Sequence, residues 1–207
     1  MFKRLAAVFG FFFFGALVFV VSVLRSAEAR YVFTQSPSPS PDSPQAIQID
    51  YQMPYPGRIT PDSPLWTAKA LRDKIWLVVN FSSQKKAEIL LMNANKRIQM
   101  AQVLFEEDKP DLAVSTITKA EKYLEEAVVM EKKARSENSG NREFTQSLAL
   151  SVLKHRQILE MMLVVAPEDA KPAVVKALDY PKKLFEEVRN MILDDGGVAP
   201  KNPYDSQ

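Results

Sequence analysis

Residues 87–130 read AEILLMNANKRIQMAQVLFEEDKPDLAVSTITKAEKYLEEAVVM. In the first half, Ala87, Leu91, Ala94, Ile98, Ala101 and Phe105 step 4-3-4-3-4. Beyond Asp108-Lys109-Pro110-Asp111, the residues Ala113, Ile117, Ala120, Leu124 and Ala127 step 4-3-4-3. Steps of three and four trace one face of an α-helix, whereas a strand repeats every second residue. The spacing predicts two helices, over residues 84–107 and 112–135, that pack seam against seam. The break between them is about four residues, which makes them antiparallel neighbours. Both seams alternate alanine with larger residues, so the helix axes can approach closely. A helix of about 24 residues is about 36 Å long.

The pattern continues on both sides. Leu148, Val152, His155, Leu159, Met162 and Ala166 mark a helix over residues 142–165, between Ser139-Gly140-Asn141 and Pro167. A fifth helix is read over residues 168–193, kinked or divided at Pro181. Gly196-Gly197 ends it, and residues 196–207 read as a flexible tail. Upstream, Pro61-Asp62-Ser63-Pro64 is a helix-start signal: Asp62 or Ser63 can cap, and Pro64 suits the first helical position. The first helix then runs to about Phe81, and Ser82-Ser83 caps the next. It carries Trp66 and Trp76, and residues 75–79 are apolar on every face. That predicts the central, most buried element, the alternative being an apolar patch for a partner or a membrane surface. The expected fold is all-α: an elongated antiparallel hairpin or bundle of about five helices over residues 61–195. A tetratricopeptide array would need a second copy about 34 residues away, and none is present.

The first sixty residues differ in kind. Lys3 and Arg4 precede LAAVFGFFFFGALVFVVSVL, a 20-residue run without charge over residues 5–24. As a helix it spans about 30 Å, the thickness of a bilayer's hydrocarbon core. The leading positive charges favour a cytoplasmic N-terminus with everything after Arg25 outside the cytoplasm. Residues 1–30 are read as a signal anchor, or as a signal peptide cleaved after Ala29, since Ala27-Glu28-Ala29 has the small-x-small form. The protein is then a single-pass cell-membrane protein with an extracytoplasmic domain, or a secreted one. Residues 31–60 are read as a Pro/Ser-rich linker containing SPSPSPDSP. Such proline density excludes helix and central strand and makes a solvated spacer.

Composition removes most chemistry. The 207 residues carry 27 basic and 25 acidic side chains, a formal charge of +2, so no nucleic-acid partner is expected. There is no cysteine and a single histidine, His155, which excludes disulfides, thiolate sites and a multi-histidine metal centre. The six glycines form no phosphate-cradling loop. His155 lies on an apolar seam, where a buried, hydrogen-bonded histidine is expected. A pH-sensitive packing switch is the sharper reading. The acid runs Glu106-Glu107-Asp108, Glu125-Glu126 and Glu186-Glu187 lie among lysines and read as solvated faces, and Asp194-Asp195 lacks the spacing of a calcium loop. No catalytic residue, cofactor or metal is expected.

One stretch is specific enough to carry a family likeness. Residues 56–66, PGRITPDSPLW, followed by Lys69, form a P-G-x-x-P-D-S-P-aromatic opening. Lys86-Ala87-Glu88, Leu91, Ala94-Asn95-Lys96-Arg97-Ile98, Lys154-His155-Arg156-Gln157-Ile158-Leu159 and Pro167-Glu168-Asp169-Ala170 follow in order. Together they resemble an uncharacterised family of bacterial exported helical domains. The resemblance spans residues 54–193, implies an exported helical domain, and supplies no catalytic or binding residues. Pro61, Asp62, Ser63, Pro64 and Trp66 of the opening, with His155, are the candidate structural or recognition residues.

The functional expectation is a membrane-anchored, extracytoplasmic interaction or structural module, held by residues 5–24 and meeting a protein partner. A regulator or sensor of a membrane signalling system is the alternative, passing its signal through a partner because only four residues precede the apolar run. An envelope hydrolase using acid pairs comes last.

Overall fold

The computed structural model describes residues 47–205; the expected membrane segment, the cleavage site and the Ser-Pro repeats lie outside those residues. Six helices make up the described part, with no strand among its residues: α1 Trp66–Val79, α2 Ser83–Glu106, α3 Pro110–Ser136, α4 Arg142–Val165, α5 Lys171–Ala177 and α6 Asp179–Asp194. No helix among the described residues is long and apolar enough to cross a membrane.

Helices α2 and α3 form the antiparallel hairpin that the seams foretold. Ser82 caps α2 by accepting from the Lys85 amide, and Asp108 ends it in the left-handed region at φ 57°. Pro110 opens α3, where a missing amide proton is no loss. Ala87, Ala94, Ala101, Ala113, Ala120, Ala127 and Ala134 are all fully buried. Large residues fill the levels opposite. Leu91 and Ala94 share one core cluster with Leu124 and Ala127, and Ile98 and Ala101 share another with Ile117 and Ala120.

Helix α4 lays its seam, Leu148, Val152, His155, Leu159 and Met162, into this hairpin. Asn141 caps α4 through bonds from the Glu143 and Phe144 amides, 2.9 and 3.3 Å. Helix α6 packs on α4 and α3 through Leu184, Phe185, Val188 and Ile192. The single last helix read from sequence is divided, at Leu178 rather than at Pro181. Pro181 takes the third position of α6, where its absent amide proton would be unpaired anyway, so the break falls upstream of the ring.

Four expectations are corrected. The first helix is not the central element. Among the helices α1 touches only α2, and its one buried residue is Asp73. It also starts at Trp66, two residues later than read, because Asp62 is drawn to Lys109 instead of capping. The end of the linker is not a free spacer: Ile49 is buried in the core, its amide donates to Gln157 at 3.2 Å, and its carbonyl accepts from Lys154 at 3.2 Å. Nor does the tail run loose after α6. Gln146 donates to the Val198 carbonyl at 2.8 Å, and the buried Tyr204 ring stacks 3.7 Å from the Arg156 guanidinium. Burial pushes the Tyr204 phenol up to about 12. Aliphatic and aromatic side chains among prolines are enough to dock a segment that composition alone reads as solvated.

Candidate functional site

The proline-rich opening builds a turn around one ammonium group. Gly57 sits at φ +88°, a conformation that favours glycine, and lets the chain fold back after Pro56. The carbonyls of Pro56 and Ile59 then both accept from Lys69 Nζ at 3.3 Å. Asp62 pairs with Lys109 at 2.8 Å, and Lys109 with Glu107 at 2.7 Å, so the opening is stitched to the α2–α3 turn. The Lys109 and Thr60 hydrogen bonds hold the Asp62 carboxyl down to about 2. Ser63 Oγ accepts from the Leu65 amide at 3.3 Å, and its carbonyl accepts from the Trp66 amide at 2.9 Å. Pro61 and Pro64 occupy the turns between.

Under this loop the α1–α2 contact is cationic. The Trp66 ring has Lys69 Nζ 5.0 Å and the Arg97 guanidinium 5.7 Å from its centre, and Tyr123 of α3 lies 4.3 Å from the same guanidinium. Such contacts are the attraction of a cation to a ring face. Arg72 binds Asp73 through Nη2 at 2.7 Å and Nε at 3.1 Å. Burial, with Lys96, Arg72 and Arg97 adding to it against Asp73, lowers Lys69 to about 8. Burial also lowers Lys96.

The outer side of α1 has the opposite character. Leu71, Ile75, Val78 and Val79 follow at helical spacing and are each more than half exposed, and Phe81 just beyond is 91% exposed. The helix therefore turns Lys69 and Asp73, with Leu77, toward the bundle and leaves four aliphatic side chains in water.

His155 lies elsewhere, at the centre of the bundle. One ring nitrogen, Nδ1, faces Glu121 Oε1 of α3 at 2.8 Å, and the other, Nε2, faces Asn95 Oδ1 of α2 at 3.0 Å. Ser151 donates to Asn95 Oδ1 at 2.7 Å, and Asn95 Nδ2 donates to the Tyr51 hydroxyl at 2.9 Å. His155, Glu121 and Ser151 are fully buried, and the serine hydroxyl is committed to Asn95 rather than to the histidine. Serine, histidine and carboxylate are thus close without the geometry of an activated nucleophile. The cluster clasps α2, α3, α4 and the Tyr51 segment together.

A second buried carboxylate follows on α3. Glu131 Oε1 accepts from Thr145 Oγ1 at 2.8 Å, while Oε2 is buried without a hydrogen-bond partner. Burial raises its pKa above the usual carboxylate range. A raised carboxyl favours the protonated form, so its contribution to stability falls as pH climbs through the unfolded value toward the folded one. Glu131→Gln keeps the Thr145 bond and removes the buried charge. It is expected to melt a few degrees higher than the wild type at pH 8, the gap closing as pH falls to 4.5, measured by thermal circular dichroism.

The acid runs sit on the surface: Glu125 and Glu187 face Lys183 at 3.8 and 3.7 Å, and Glu186 pairs with Arg189 at 3.2 Å. Among the described residues no group of three His, Asp or Glu side chains is placed to hold a metal. The six residues singled out by sequence therefore divide. Pro61, Asp62, Ser63, Pro64 and Trp66 form the opening, and His155 the interior. The sequence reading gave no role to Lys69, Arg97 and Tyr123, or to Glu121 and Asn95. Its only signal for Lys69, Asn95 and Arg97 was their place in the quoted motifs.

Residues 58–169 match the family model described as Domain of unknown function (DUF5667). No curated protein and no solved structure matches the chain.

Proposed function

The chain belongs to the DUF5667 family, a domain of unknown function, and we propose that it is a membrane-tethered, extracytoplasmic module that docks a protein partner through the outer face of α1. The exposed apolar side of α1 carries this reading. Four aliphatic side chains and Phe81 stand in water while a lysine and an aspartate are turned inward, and contiguous exposed apolar surface of this kind marks an interaction site. The tether rests on the uncharged run of residues 5–24 behind Lys3 and Arg4, and on the Ser-Pro stretch that follows.

The test is a photo-crosslinking amino acid placed at Ile75 in the full-length chain in its native cells, with Lys132 on an exposed face of α3 as control. One reproducible protein adduct is expected from position 75 and not from 132. Leu71→Asp or Val78→Asp should reduce it at least tenfold with unchanged helicity, since both side chains are exposed. Equal capture at both positions, or none at 75, would overturn the reading.

A further inference from the structure

Independently of the docking face, we propose that Lys69, Arg72, Lys96 and Arg97 form a binding site for a phosphate-type oxyanion at the α1–α2 contact. Arg97 is the anchor. It is only 8% exposed, and its guanidinium is packed against the rings of Trp66 and Tyr123. Among the described residues it makes neither a hydrogen bond nor an ion pair. A guanidinium held by its faces presents its N–H edge, a fork that fits two oxygens of one oxyanion. The Arg97 nitrogens are not among the buried side-chain atoms left without a partner, so the N–H edge opens to solvent, where an oxyanion can reach it.

The surroundings set the charge of the ligand. Asp73 is the one carboxylate that acts on Lys69 and Lys96, and Arg72 already holds it at 2.7 Å. Four cations against one carboxylate leave three positive charges, more than a single carboxylate ligand would offset. A phosphate or phosphomonoester dianion fits better. Lys69 is preorganised for it: two carbonyls of the Gly57 turn fix its ammonium, leaving one of its three donors to point elsewhere. Lys96 makes no hydrogen bond or ion pair among the described residues. Burial is the first cause that lowers Lys69 and Lys96, with the neighbouring cations adding to it, so a bound anion would raise both.

The experiment uses the full chain in a non-ionic detergent. Inorganic phosphate and, separately, glycerol phosphate are titrated against sodium chloride at matched ionic strength. Two quantities are read: the thermal midpoint, and the NMR titration of the Lys69 ammonium. Phosphate at millimolar concentration is expected to raise the thermal midpoint and to move the Lys69 titration up from about 8 by at least one pH unit. Arg97→Lys keeps the charge but loses the fork, and should weaken the response at least tenfold. Lys96→Gln, on a half-exposed side chain, should weaken it severalfold in a protein that folds normally. A response to glycerol phosphate alone supports the site and assigns it to a phosphoryl group carried on a larger molecule. No response to either anion beyond the chloride control overturns the site, and so does an undiminished response in Lys96→Gln.

Discussion

His155→Ala is expected to lower the unfolding free energy by about 3–5 kcal/mol, the cost of removing one partner of a buried pair. Glu121 has no exposed surface and one hydrogen-bonded oxygen, Oε1, whose partner is His155; Oε2 is buried and unpartnered already. Removing the imidazole takes the one hydrogen-bond partner from Glu121 Oε1, and it also strips a partner from Asn95. For a folded part of this size a loss on that scale lowers the melting temperature by roughly 10 °C. The double variant His155→Leu/Glu121→Leu removes both polar groups and should recover most of the loss. Urea unfolding of the three proteins decides it. If His155→Ala costs under 1 kcal/mol, the cluster does not hold the helices together.

Ile98→Ala is expected to cost about 2–5 kcal/mol, the range for truncating a buried large aliphatic side chain. Ile98 is fully buried and shares its cluster with Ala120 of the facing helix. Truncation sets alanine against alanine, and the large residues at neighbouring levels keep the axes from closing over the gap. Ile98→Ala/Ala120→Ile moves the same volume to the other side of the seam and should recover at least half of the loss. Ala120→Ile alone overpacks the level and should itself cost about 1–3 kcal/mol. Denaturant curves of the four proteins give the coupling energy, and simple additivity would mean that these two positions do not face one another.

The hairpin was legible because its information is periodic: Ala87 to Phe105 and Ala113 to Ala127 each repeat one face, and one face is all that a seam requires. His155 was legible as buried for the same reason, but its partners were not. Glu121 and Asn95 lie 34 and 60 positions away, and no local pattern marks a carboxylate or an amide for the interior. Helix α1 misled because apolar side chains all round normally mean burial on all sides. Which side is covered depends on where Lys69 finds the Pro56 and Ile59 carbonyls, and those are fixed by the turn at Gly57. The docked segments near Ile49 and Tyr204 were hidden by proline and glycine neighbours. Their anchoring rests on single side chains meeting a surface that exists only once the bundle has formed.

Those two docked segments meet the same turn of α4: Lys154 and Gln157 hold Ile49, and Arg156 covers the ring of Tyr204. One turn of α4 therefore staples two stretches from opposite ends of the helical run, and loosening that turn would free both at once.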